Sequence, residues 1–168
     1  MKNRVNKKGL AFYIVGIILL CVLDQLTKIA AVDALKGKTP FILIDGVFEF
    51  SYLENTGTAW GMFSGARIYF LILTVVIVAV ITYVVAIMPS ERKMLPLQVV
   101  LTVLGAGALG NFIDRLLLGY VRDFIYFKLI NFPVFNVADI YVTVSVICFA
   151  VLILFIYKEE DFDFLKKK

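Results

Sequence analysis

Long charge-free apolar runs alternate with short charged segments along this chain. A bilayer's hydrocarbon core is about 30 Å thick and takes about 20 helical residues to cross. Four runs approach that length. The first extends without charge from Gly9 to Leu23 and continues to Val32 if Asp24 and Lys28 are accommodated. The second, Ile68 to Met88, has 21 uncharged residues and is closed by Pro89. The third covers 19 residues from Leu95 to Ile113, and the fourth covers 18, from Ile140 to Tyr157. The pattern predicts an all-α polytopic membrane protein, a single integral membrane domain with spans at about 9–32, 68–88, 95–115 and 138–157.

Between spans one and two lies a loop, 33–67, with a different period. In FILIDGVFEFSYLE (41–54), Asp45-Gly46 separates two stretches, and the second sets Phe48, Phe50 and Tyr52 against Glu49 and Ser51. Two-residue alternation around an Asp-Gly pair predicts a β-hairpin with one aromatic face. The segment AWGMFSG (59–65) groups Trp60, Met62 and Phe63, as in a stretch lying at headgroup depth. A small packed ectodomain and a membrane-surface cradle both fit this pattern.

Composition agrees with the spans. The chain has 168 residues, of which 61% are hydrophobic and 18% charged, against about 45–50% and about 25% in soluble domains. It contains no histidine, which removes imidazole-based nucleophile activation and histidine-built zinc sites. Cys21 and Cys148 lie within apolar runs, without a CxxC pairing, and read as packing residues.

The net charge of +4 follows topology and implies no nucleic-acid partner. Lys2, Arg4, Lys7 and Lys8, then Arg92 and Lys93, then Lys158 and Lys166–Lys168 fall on one side of a four-span arrangement. The positive-inside rule makes that side cytoplasmic. A basic stretch before an apolar run also resembles a secretory signal peptide. However, Leu20 precedes Cys21 and no A-x-A-like site follows closely, so span one is expected to be retained.

The remaining polar groups collect at the outer boundary. Asp24 and Lys28 share a face of span one; Asn111, Asp114 and Arg115 end span three; Asp123 follows; Asn136 and Asp139 open span four. Ionisable groups at membrane depth are costly and mark function. Asp123 and Asp139 flank one connection, so their carboxylates emerge at similar depth. Such a pair shares a proton, giving one base and one acid able to activate water without histidine or metal. Spacing alone leaves bland roles equally open: an ion pair of Asp123 with Arg122 or Lys128, and a helix-terminal charge for Asp139. For Asp24 with Lys28 an intrahelical ion pair is the leading reading, and for Asp114 with Arg115 it is interface anchoring. The run GAGALG (105–110) reads as a small-residue helix interface.

Five ordered blocks, DQLTK (24–28), ENTGTAWG (54–61), GALGNFIDR (107–115), VRDFI (121–125) and FNVAD (135–139), resemble the bacterial lipoprotein signal peptidases, or signal peptidase II. The resemblance implies an intramembrane aspartyl endopeptidase of the bacterial cytoplasmic membrane. Its implied substrate is a lipidated prolipoprotein, cut on the N-terminal side of a diacylglyceryl cysteine. It also implies Asp123 and Asp139 as the catalytic pair, with Asp24, Lys28, Asn55, Gly57, Asn111, Arg115 and Asn136 lining or supporting the site. No metal or other cofactor is expected, and the chain is expected to act as a monomer among membrane lipids. Two positions depart from the family pattern: Thr58 where alanine is common, and Ile140 where serine often follows the second aspartate.

The rival classes are a small four-span proton-coupled transporter or channel subunit, a structural tetraspan scaffold, and a metal-dependent lipid head-group transferase. A transporter would place its carboxylates near the midplane with access from both sides, whereas here they crowd one interface. A transferase would want several carboxylates around a metal.

Overall fold

The computed structural model describes residues 5–57 and 67–166. Thr58 and the aromatic segment 59–65 lie outside the described residues, as do Lys2, Arg4, Lys167 and Lys168. Among the described residues, four helices are long and apolar enough to cross a membrane. They are α1 (Lys7–Leu35), α2 (Arg67–Ile87), α3 (Leu95–Leu117) and α4 (Val137–Val151). α4 is prolonged by a π-helical turn over Leu152–Ile156, closed by Tyr157 N–H donating to the Leu152 carbonyl at 2.9 Å.

These helices are apolar on their outward faces as well. Phe155 and Leu154 are 80% and 72% exposed, and Ile18, Leu19 and Val22 of α1 are also open. A bundle in water would bury such faces, whereas in lipid they are already in their preferred solvent. Cys148 belongs to this outer surface, so the packing role expected of it is not seen; Cys21 is buried, and both thiols are free.

α3 occupies the middle, packed against α1, α2 and α4, and its glycines explain how. A Cβ on Gly107 would meet the Ala138 carbonyl of α4 at 2.6 Å, and one on Gly110 would meet Asp24 Oδ2 of α1 at 2.6 Å. Without hydrophobic pressure between helices in lipid, close backbone approach of this kind supplies the contact.

At one end, Asn6 caps α1, accepting from Gly9 N–H at 2.8 Å and donating to the Met88 carbonyl at 2.9 Å, so the start of α1 is tied to the end of α2. The tail closes the same end. A 3-10 helix over Glu159–Leu165 turns Phe162 and Phe164 against the core formed by Tyr13, Met88, Met94 and Leu97. Lys93 bonds Asp161 there.

At the other end is an antiparallel sheet of three strands in the order β1 (Phe41–Ile44), β2 (Phe48–Asn55), β3 (Val121–Phe127). The expected hairpin is present, turning at Gly46 with φ +69°, a backbone conformation open to glycine. Its aromatic face, Phe48, Phe50 and Tyr52, packs on Ala31 and Leu35 of α1 and on Phe124 and Ile125 of β3. The opposite face carries Glu49, buried and paired with Lys128 at 3.0 Å. The ribbon therefore has a third strand, drawn from the connection between spans three and four.

Candidate functional site

Strand β3 and the start of α4 bring the two aspartates to one cleft. Alternation along β3 sends neighbouring side chains to opposite faces, so Asp123 turns inward while Arg122 turns away. The segment before α4 is fastened to this strand. Phe124 and Ile125 donate backbone N–H groups to the Phe135 carbonyl at 3.0 and 2.8 Å, and Phe135 N–H returns to Ile125 at 3.0 Å. Asn136, the next residue, is thereby fixed relative to Asp123.

Asn136 is also the N-cap of α4. In FNVAD the Asn side chain accepts from Asp139 N–H at 3.1 Å, and the Asp139 carboxylate accepts from Asn136 N–H at 3.0 Å. This reciprocal capping box satisfies two donors that a helix start leaves free. It also sets the direction of the Asp139 carboxylate. The helix-terminal position that left a bland role open to Asp139 is the same geometry that points its carboxylate into the cleft.

Each carboxylate receives two donors. Asp123 Oδ1 accepts from Asn136 Nδ2 at 2.6 Å and Oδ2 from Asn55 Nδ2 at 2.8 Å. Asp139 Oδ2 takes the Asn136 backbone, and Oδ1 accepts from Asn111 Nδ2 at 2.7 Å. Asn136 thus holds both, one with its amide and one with its backbone. Asn55 is fixed in turn, its Oδ1 accepting Gly57 N–H at 3.0 Å, a turn in which an asparagine side chain bonds its own downstream backbone.

Asp123 is 1% exposed and, among the described residues, makes no ion pair. The two cations considered as its partners go elsewhere: Arg122 to Asp114 at 2.6 Å and Lys128 to Glu49. Burial, then the charge of Asp139, push the Asp123 carboxyl up to about 7, against the downward pull of its two asparagine donors and Lys28. A carboxyl there exchanges its proton near neutrality.

Behind the aspartates lies a buried charged layer. Lys28, fully buried, pairs with Asp24 at 2.9 Å and donates to Asn111 Oδ1 at 2.9 Å. Asn111 Oδ1 also accepts from Asn136 Nδ2 at 3.0 Å. Asp24 Oδ1 accepts Ala138 N–H at 3.0 Å, another of the free donors at the start of α4. The leading reading of Asp24 and Lys28 as an intrahelical pair is correct, and the pair also reaches the site through Asn111.

The cleft itself encloses about 480 Å³. Asn55, Gly57, Asn111, Arg115, Asp123 and Asp139 line its polar part, and Phe132, Val134, Ile140 and Val144 are among its apolar walls. Arg115 sets its guanidinium carbon 4.9 Å from the centre of the Phe70 ring of α2, while Asp114 bonds Gln25 of α1 and Arg122 of β3, so the two anchor α3 to different neighbours. Of the nine residues singled out from sequence, six line the cleft and three, Asp24, Lys28 and Asn136, support it from behind. Sequence reasoning missed Gln25, which donates to both Asp24 and Asp114, and gave no site role to the apolar wall. The signal for the wall was present: Ile140 and Val144, four residues apart, share a face of α4 that starts at the residue after Asp139.

The pair offers a base and an acid to one water molecule, beside a cleft of about 480 Å³ with a polar floor and apolar walls. Among the described residues no group of three His, Cys, Asp or Glu is arranged to hold a metal ion.

Comparison with known proteins bears on this arrangement. A family model described as signal peptidase (SPase) II matches residues 16–155. A lipoprotein signal peptidase of Latilactobacillus sakei subsp. sakei (strain 23K) is 41% identical over 145 residues, covering 86% of this chain and 94% of that protein. One from Clostridium tetani (strain Massachusetts / E88) is 35% identical over 153 residues, covering 89% and 95%. Two solved structures, each described as a bacterial membrane enzyme determined by the in meso method, superpose with TM-scores of 0.73 and 0.74 at 33% and 31% identity. Each covers 94% of this chain, which in turn covers 93% and 99% of theirs.

Proposed function

Because the chain belongs to the signal peptidase II family of membrane proteases, we propose that it removes signal peptides from prolipoproteins, with Asp123 and Asp139 as its catalytic pair. The scissile bond is the one on the N-terminal side of a diacylglyceryl cysteine. The carrying observation is that two carboxylates converge on Asn136 in one cleft, with Asp123 poised near neutrality.

One proton is shared by the pair at working pH. The ionised carboxylate takes a proton from the bound water as its oxygen attacks the scissile carbonyl carbon. The protonated carboxyl donates to the carbonyl oxygen, giving a neutral gem-diol. Collapse returns a proton to the pair and delivers one to the departing nitrogen, so water is consumed and the C–N bond breaks. Asn55, Asn111 and Arg115 line the channel and offer donors to the peptide backbone. Gly57 fixes Asn55, and Asp24, Lys28 and Asn136 keep the carboxylates aimed.

The substrate backbone must be extended at the cut, because helical amides are occupied by their own hydrogen bonds. The sheet and the apolar wall suit such a segment, with the diacylglyceryl chains remaining among membrane lipids. We place the cleft at the outer face of the bacterial cytoplasmic membrane with both termini inside, and the protein acting as a monomer.

The test is cleavage of a lipidated prolipoprotein by the purified protein in detergent, with and without EDTA. Asp123→Asn and Asp139→Asn are each expected to lose about 10²–10⁴-fold or more in turnover, and EDTA to have no effect. Wild-type turnover in either variant would remove the dyad, and inhibition by EDTA would bring back a metal.

A further inference from the structure

Arg122 precedes Asp123 on β3 and points the opposite way, into the layer behind the cleft. It holds Asp114 at three points: its backbone N–H to Oδ2 at 3.0 Å, Nε to Oδ2 at 3.1 Å, and Nη2 to Oδ1 at 2.6 Å. Nη2 also donates to Gln25 Oε1 at 2.7 Å. Gln25 returns its Nε2 to Asp114 Oδ1 at 3.1 Å and to Asp24 Oδ2 at 3.2 Å. Two helices and a strand are thus joined through one guanidinium, whose planar fork matches a carboxylate at two points where an ammonium offers a single charge.

The charges in this layer balance. Asp24 and Asp114 are anions, Lys28 and Arg122 cations, and all but Arg122 are fully buried. Lys28 lies within reach of both anions, 2.9 Å from Asp24 and 3.5 Å from Asp114. It also donates to the Gly110 carbonyl at 3.4 Å and to Asn111, which holds Asp139. A buried anion left without its partner is costly, and after Arg122 the cation at hand for Asp114 is Lys28, 3.5 Å away. Arg122 satisfies Asp114 and so leaves Lys28 to Asn111.

From this we infer that Arg122 is a positioning residue for both aspartates, seating Asp123 through the strand and Asp139 through Asp114, Lys28 and Asn111. The inference rests on the dyad reading above and extends it to a residue that touches neither carboxylate. The guanidinium fork carries the first role, and the positive charge alone carries the second.

Arg122→Lys and Arg122→Gln separate the two roles. Prolipoprotein cleavage is followed against pH in detergent, with unmodified protein and Asp123→Asn alongside. Arg122→Gln is expected to lower kcat 10- to 100-fold with KM within about twofold. Arg122→Lys, keeping the charge without the fork, should recover part of the loss. The alkaline midpoint should fall in Arg122→Gln. Asp123 is faced by Asp139 from α4, by Lys28 from α1 and Arg115 from α3, and by the neutral Asn55 from β2. The two influences that raise it, burial and Asp139, both depend on its being seated. A merely structural role would reduce the yield of folded protein and leave kcat per folded molecule and the midpoint unchanged, and that result overturns the inference. Unmodified protein that fails to cleave, or Asp123→Asn that cleaves normally, refutes the dyad reading instead. In that case a 13C titration of the Asp123 carboxyl in the unmodified protein and in Arg122→Gln still decides the positioning claim: an unchanged midpoint overturns it.

Discussion

Asp123 is a buried acid held by two amides and facing a second carboxylate, and its proton governs the pH behaviour of the protein. With its midpoint at about 7, raising the pH through neutrality takes the proton from Asp123 and with it the proposed acid for the carbonyl oxygen. The alkaline limb of kcat/KM should therefore centre near 7. Asn55 donates to the ionised form and lowers that midpoint, so Asn55→Ala should move the limb upward. One lost hydrogen bond of about 0.5–1.5 kcal/mol corresponds to about one pH unit or less; a limb that stays put, or moves down, contradicts the assignment. Stability carries the same sign. The folded state holds the Asp123 proton up to about 7 and the unfolded chain releases it near 3.8, so this group's contribution is complete below about 4 and is lost as pH rises toward 7. Thermal melts of Asp123→Asn against the unmodified protein, compared at pH 5 and 8, read that difference. The two aspartates were visible in sequence because ionisable groups are scarce at membrane depth. Whether Asp123 pairs with Arg122 or Lys128 was not: Arg122, its neighbour in the strand, faces the other way, Lys128 lies past the end of the strand, and their true partners, Asp114 and Glu49, come from other elements.

The helices announce themselves by unbroken apolar length, and the β1–β2 hairpin by Asp45-Gly46 and local alternation. β3 does not. VRDFIYF is a short run in an outer connection, and its partner β2 lies far back in the chain, with Phe48 opposite Phe127 and Asn55 opposite Val121. Pairing over that separation leaves no local signature, although it is what sets Asn55 beside Asp123. GAGALG, read as a small-residue interface, is one, and its glycines differ in what they face. A methyl on Gly107 would press on the Ala138 carbonyl, one residue before Asp139, and a backbone atom cannot swing aside. A methyl on Gly105 would meet the ends of the Ile17 and Tyr13 side chains at 3.1 Å, which can shift. Gly107→Ala is therefore expected to cost about 1–3 kcal/mol and to depress cleavage by displacing the start of α4. Gly105→Ala should stay close to the unmodified protein in both. Thermal unfolding in detergent with parallel activity assays checks the pair, and equal effects would mean that the α3–α4 approach does not position Asp139.

The molecule as a whole is asymmetric from end to end. The start of α1, the α2–α3 connection and the tail are joined through Asn6, Met88 and Ser90 and through Lys93 and Asp161, and they carry Lys7, Lys8, Arg92, Lys93 and Lys158. The sheet, the cleft and the buried charged layer form the opposite end, and between them the spans hold no Asp, Glu, Lys or Arg apart from those at the cleft and in that layer. Only one orientation satisfies both the positive-inside rule and the proposed substrate, whose cysteine, lipidated in the outer leaflet, would put the scissile bond at the outer interface. With Cys21 and Cys148 both replaced by alanine, a cysteine introduced at the exposed Lys38, beside the sheet, should react with a membrane-impermeant maleimide added to intact spheroplasts. A cysteine at the exposed Arg92 should react only after lysis. The opposite pattern would put Asp123 and Asp139 on the cytoplasmic side, out of reach of a cysteine lipidated in the outer leaflet, and would overturn the proposed substrate along with the topology.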